Sequence, residues 1–284
     1  MWRYAWLLPL GLFGAACSGR TETIVVAGGA GGAPDGGAAG ASGGQGGVGG
    51  SGGLAVFCPD GPGPELVAVE SPAGWFCVGS TEVTEHDYAD FLDENPSIAG
   101  QPAGCAWNTD YEIPWASKTP RSLRPRVNVD WCDARAYCQW AGQRLCGRPG
   151  GGAAKFSKFA APGESEWYFA CSRGGERTYP YGNTFESMRC FTAEHPTAKK
   201  ANYVGWNSAC EGGFTGLLDL SGNVAEWEDS CNTAVPGSGT CRLRGGSVVS
   251  PLEDARCQSD ATMSAGAGDE YVGIRCCADP VPAD

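Results

Sequence analysis

LDLSGNVAEWED, Leu218 to Asp229, holds an acid, a Ser-Gly-Asn turn, and a second acid seven residues after the first. Four of its twelve residues are acidic: Asp219, Glu226, Glu228 and Asp229. Such a turn is either a solvated surface loop or the rim of a cation site. Calcium takes about six to eight oxygens from carboxylates and backbone carbonyls, and a turn between two acids can offer them. What surrounds the turn decides between the two readings.

From Arg173 onward the chain is rich in Gly, Asn, Tyr and Trp, with short apolar runs and little periodicity. Long irregular chain of this kind needs cross-links or bound ions to hold it. The cysteines supply the cross-links. Of the 15, Cys17 stands apart near the N-terminus and an even number remains, which behind a secretion signal reads as up to seven disulfides in an oxidising compartment. Zinc fits poorly, because there is no CxxC pair and the only histidines are His86 and His195. Neither histidine sits in a Ser-His-Asp motif, and His86 reads as an exposed residue in the first turn of a helix.

Residues 1–16 have the form of a secretory signal: Arg3, the apolar run Ala5 to Phe13, then Gly14-Ala15-Ala16 before Cys17. The run is shorter than the roughly 20 residues needed to cross a bilayer. The small-small-Cys ending resembles a bacterial lipobox, which makes Cys17 the lipidated first residue of the mature chain, although Gly14 stands where leucine is usual. Ordinary signal cleavage would instead leave a soluble secreted protein. Residues 17–53 are dominated by Gly and Ala and form a disordered tether, since they have few side chains with which to build a core. The folded domain is expected over residues 54–280, with a short tail at 281–284. These features predict a bacterial cell-envelope protein, an outer-membrane lipoprotein facing the periplasm or the cell surface, that meets the membrane only through its anchor. The net charge of −12, without a basic run, argues against a nucleic-acid partner.

Within the domain, Glu65 to Val69 and Trp75 to Val78 flank the turn-forming Glu70-Ser71-Pro72-Ala73-Gly74 and predict a hairpin. Thr84, with Asp87 three residues on, caps a helix whose Tyr88, Phe91 and Leu92 share one face. Asp130 caps a second helix carrying Ala134, Tyr137, Cys138 and Ala141 along one stripe, with Gly142 as its stop. Cys132 and Cys138 lie about 9 Å apart along that helix and roughly 240° around it, too far to bond to each other. A third helix runs through GESEWYFACS. The Gly147 to Lys155 stretch lacks the Gly-Lys-Ser/Thr ending of a phosphate loop and reads as a flexible insertion.

Seven segments in order, STEVTEHDYADFL, RVNVDWCDARAYCQWAGQRL, ESEWYFACSRGG, TYPYGN, GLLDLSGNVAEWEDS, CRLRGGS and YVGIRCCAD, resemble the sulfatase-modifying-factor family, best known from the formylglycine-generating enzyme. The likeness covers about residues 56–280. It implies an α+β domain related to C-type lectins, low in regular secondary structure, disulfide-rich, with calcium as a structural ion. By position the calcium ligands would be the side chains of Asp219 and Glu226 and the carbonyls of Gly222 and Val224. Asn202 and Tyr203 match the start of a second calcium site, whose remaining ligands fall where this chain is shorter. The resemblance also implies the disulfides Cys138–Cys276 and Cys171–Cys257. Cys58–Cys77, Cys190–Cys210 and Cys231–Cys241 follow from proximity alone.

The family's enzyme oxidises a target cysteine with O2 through copper(I) on two thiolates, the soft ligands that ion prefers. Those cysteines lie after RGGS in a Cys-His-x-Ser-Tyr-Cys arrangement. Here the interval Val248 to Ala255, VVSPLEDA, has neither cysteine nor histidine, so copper is not expected. Ser247 keeps the RGGS serine. Ala225 replaces the first tryptophan of the family's GNVWEW. The adjacent Cys276 and Cys277 offer the one alternative thiol pair.

Two readings follow. In one the domain has lost oxidation and is a calcium-stabilised binding module for a protein or glycan ligand. In the other it is an oxidase, formylglycine-generating or related, acting on exported proteins with a metal site the sequence does not place. The missing thiolates favour the first. Trp107, Tyr111 and Trp115, in the Cys105 to Pro120 loop, read either as an aromatic ligand platform or as core.

Overall fold

Two four-stranded sheets share the domain with three short helices in this computed structural model, which describes residues 56–113 and 122–281. The expectations for residues 1–53 and for Trp115 lie outside the described residues. The first sheet begins with the predicted hairpin: β1 (Leu66–Ser71) pairs antiparallel with β2 (Gly74–Gly79), Val67 opposite Val78. The capping box at Thr84 then forms. The Thr84 hydroxyl accepts from Asp87 N, and the Asp87 carboxylate accepts from Thr84 N at 2.8 Å, starting α1 (Glu85–Asp93). Its Tyr88 and Phe91 are buried against α2 (Trp131–Trp140), which Asp130 and Asp133 cap in the same reciprocal way. Gly142, at φ +71°, ends α2 as expected for a left-handed stop.

The two-residue β3 (Arg144–Leu145) follows, then α3 (Glu166–Ser172), capped by Ser165. A small pair, β4 (Glu211–Gly212) and β5 (Phe214–Leu218), leads into the opening turn. Beyond that turn lie β6 (Ala225–Cys231), β7 (Thr240–Arg244), β8 (Thr262–Ser264) and β9 (Val272–Gly273), in spatial order β8-β7-β6-β9. β9 runs parallel to β6, and the other pairs are antiparallel. The last strand, β10 (Cys276–Ala278), crosses back into the first sheet between β2 and β3.

Three tryptophans sit wholly inside, and each gives its indole N–H a partner, as buried indoles require. Trp131 donates to Glu228 O and Trp227 to Val129 O, both at 3.0 Å, while Trp167 reaches the Glu226 carboxylate at 2.5 Å. One apolar cluster joins α1, α2, Trp227 and Ile274, and a second joins β1, β2, α3 and Leu217.

Every cysteine from Cys58 onward is oxidised, in seven disulfides. Cys58–Cys77, Cys138–Cys276, Cys171–Cys257, Cys190–Cys210 and Cys231–Cys241 are the five pairs named from sequence. Cys105–Cys132 and Cys146–Cys277 complete the set. Cys132 and Cys138 thus tie α2 to two different segments. Cys276 and Cys277 have separate partners, so they are not a free thiol pair. Among the described residues no helix is long and apolar enough to cross a membrane.

Candidate functional site

The opening turn is buried, not solvated: every residue from Asp219 to Glu228 is buried. Gly222 makes this possible. It adopts φ +80°, and a Cβ there would stand 2.4 Å from Phe191 O. The turn therefore lies flush on the Phe191–Thr192 backbone, an approach that only glycine permits.

The two carboxylates of the turn have different partners. Glu226 receives Arg275: Nε is 2.9 Å from both carboxylate oxygens and Nη2 is 2.7 Å from Oε1. Trp167 occupies Oε2 as well. A carboxylate offers about four acceptor positions, and these three N–H groups, with Nε–H shared between the two oxygens, take most of them. Arg275 also donates to Gly79 O and Leu218 O, at 2.6 and 2.8 Å, which lashes β2 and β5 to the turn. Burial works against its charge, but the Glu226 carboxylate outweighs it and holds the guanidinium above its ordinary pKa.

Asp219 instead accepts from Gly205 N at 2.6 Å and lies beside Glu82, a wholly buried acid that sequence reasoning missed. One Glu82 oxygen accepts from Asn223 Nδ2 at 3.0 Å, and the other is buried without a partner. Burial, then the nearby Asp219, push the Glu82 carboxyl well above its usual range, and burial lifts Asp219 to about 6. Three acids thus surround one guanidinium.

Asn202 and Tyr203 are brought to the same turn. Asn202 N donates to Asn223 Oδ1 and Tyr203 N to Asn202 Oδ1, each at 2.8 Å. The Asn202 oxygen is thereby turned onto its own chain, and Tyr203 carries Arg124 over its ring at 4.8 Å. Among the described residues no three His, Cys, Asp or Glu side chains group so as to hold a metal ion.

Of the residues expected around calcium, Glu226 turns its carboxylate to Arg275 and Trp167, and Asp219 turns its own to Gly205 N. A divalent cation on Glu226 would face the buried Arg275 charge at close range. Arg275 itself joins the turn to β2 and β5. One signal for Arg275 was present in the sequence: an arginine inside the apolar run Val-Gly-Ile-Arg-Cys-Cys needs a buried acid. Glu82 carried none.

The RGGS segment is equally structural. Arg244 is fully buried, 2.9 Å from Glu228 Oε2, and donates to Ser259 O and Phe159 O. Ser247 is 2% exposed, its hydroxyl 2.9 Å from that of Ser250, inside a turn that Val248 anchors against Phe191 and Ala198. Among the described residues no free thiol is available near it. Of the aromatic residues in the Cys105 to Pro120 loop, Tyr111 is 5% exposed and packs on Phe91 as core, whereas Trp107 is 46% exposed.

A family model described as the sulfatase-modifying factor enzyme 1-like domain matches residues 64–280. The formylglycine-generating enzyme of Mus musculus is 29% identical over 197 residues, covering 60% of this chain and 48% of that protein. The inactive C-alpha-formylglycine-generating enzyme 2 of Bos taurus is 37% identical over 115 residues, covering 37% of this chain and 33% of that one. The chain thus spans about half or less of the length of these relatives. Among solved structures, Treponema denticola variable protein 1 superposes with a TM-score of 0.48 at 19% identity, over 80% of this chain and 95% of its own.

Proposed function

From its place in the sulfatase-modifying factor enzyme 1-like family, to which the chain belongs, we propose that it is a binding module in which copper-dependent cysteine oxidation has been lost. One observation carries this reading: every cysteine from Cys58 to Cys277 is committed to a disulfide, and the segment after Ser247 has neither cysteine nor histidine. Copper(I) chemistry of the family's kind needs two thiolates. That one similar protein is named an inactive formylglycine-generating enzyme supports the same direction. The ligand on this reading is a protein or a glycan.

Export and anchoring through Cys17 belong to the same proposal. They are supported by the apolar run before Cys17 and by the density of disulfides, which form and persist in oxidising compartments. The protein would then stand in the cell envelope on its Gly/Ala tether. Replacing Cys17 with serine should release it from the membrane fraction; retention there would reject the anchor.

The catalytic question is settled by mass spectrometry. The purified protein, supplied with copper(I), oxygen, a thiol and a Cys-x-Pro-x-Arg peptide, is expected to leave the peptide mass unchanged beside an active control. Conversion to formylglycine would overturn the module reading and establish an oxidase.

A further inference from the structure

Three arginines line one open cleft of about 330 Å³ at the end of α3, in a chain whose net charge is −12. Arg173 is the left-handed residue that terminates α3, Arg177 lies in the turn beyond it, and Arg189 precedes Cys190. They come from separate points of a braced frame. Cys171–Cys257 fixes the end of α3 that carries Arg173, and Cys190–Cys210 joins the segments that carry Arg189 and Glu211. Two lining residues meet at Pro180 O, which accepts from both Arg177 Nη1 at 2.8 Å and Gly213 N at 2.7 Å.

Each arginine keeps N–H donors beyond its contacts, although Glu176, Glu186 and Glu211 stand near. Arg173 has only Glu176 at 4.0 Å, both side chains more than half exposed, a pairing worth little in water. Arg189 gives Nε to Glu186 at 3.0 Å and lies over the Tyr181 ring at 5.9 Å, which leaves its two terminal nitrogens uncommitted. Arg177 spends one N–H on Pro180 O. Glu211, the one acid in the lining, holds Gly216 N at 2.7 Å. A planar carboxylate satisfies a single guanidinium fork. Three guanidiniums lining one cleft suit an anion with acceptor oxygens pointing several ways.

We propose that this cleft is an anion site that takes a tetrahedral oxyanion, a sulfate or phosphate group carried by the ligand of the binding module. The assignment rests on the module reading for its use but not for its measurement. The full-length protein is titrated at low ionic strength with inorganic sulfate, inorganic phosphate and acetate, and binding is followed by calorimetry and by shifts of the arginine Nε–H resonances. Saturable binding of sulfate or phosphate, tighter than acetate, is expected, and the stronger of the two identifies the group. Arg173→Gln/Arg189→Gln removes two charge-assisted contacts and should weaken it about tenfold or more. Both residues are surface side chains, so the fold is preserved, and Lys199→Gln/Lys200→Gln should bind as the wild type does. No saturable binding, acetate bound equally well, or an unaffected double variant would each overturn the site. Peptide oxidation would sink the module reading without touching this titration, and a silent titration would leave the module reading standing.

Discussion

Arg275 and Glu226 meet as a two-pronged pair in the interior, Nε 2.9 Å from each carboxylate oxygen, and neither side chain is more than 1% exposed. Deleting one member of such a pair leaves the other charge buried alone, which costs about 3–5 kcal/mol. Arg275→Met should lower the unfolding free energy by that order in urea titrations. Glu226→Leu/Arg275→Met should recover most of it. A single variant as stable as the wild type would show that the pair does not carry the turn.

Because Arg275 already ties Glu226 to the surrounding strands, chelation should leave the protein intact. The melting temperature is expected to be the same in EDTA and in millimolar calcium. A ligand held only by the native state raises stability by mass action, so a clear upward shift with calcium would show that the ion binds here after all.

Acid should favour the fold over neutral pH. Burial lifts Asp133 to about 7 and Asp130 to about 6 at the head of α2, and Asp219 to about 6. A carboxyl whose folded pKa exceeds its unfolded value binds its proton more tightly when folded. Its contribution is thus full below about pH 4 and is lost as pH rises through the window to about 7. Urea midpoints should fall across that window, and Asp133→Asn should remove part of the slope, of order 2 kcal/mol. A midpoint that rises from pH 4 to 7 would contradict this.

Alkylation of the denatured, unreduced protein followed by peptide mapping should find no modified cysteine from Cys58 onward. A reproducible pair of adducts would reopen a thiolate site for copper.

Gly222→Ala tests the seating of the turn. The added methyl meets Phe191 O at 2.4 Å on a backbone already at φ +80°. A loss of about 2 kcal/mol or more is expected from strain and displacement together. An unchanged midpoint would mean that the Phe191 segment yields freely.

The elements that could be read from sequence were those written locally. Thr84 with Asp87, and Asp130 ahead of Trp131, announce α1 and α2 because a cap is a contact within four residues. The β1–β2 hairpin is likewise local. The parallel pairing of β6 with β9 was not legible, since β9 is two residues long and its partner lies far back in the chain. Nor were Cys105–Cys132 and Cys146–Cys277, which depend only on where the fold carries their ends. At the candidate site Asp219 was found and Glu82 missed, because nothing near Glu82 marks an acid destined for the interior. Trp107 and Tyr111 look alike in sequence and end on opposite sides of the surface.

The position of β10 sets an order of events for the chain. It lies between β2 and β3, and its two consecutive cysteines bond back across 138 and 131 residues, to Cys138 and Cys146. A ribosome delivers β10 well after β3, so the hairpin, α2 and β3 must wait with an unfilled slot until residues 276–278 have emerged. Truncating the chain before Cys276 would therefore remove the middle of a sheet, not its edge.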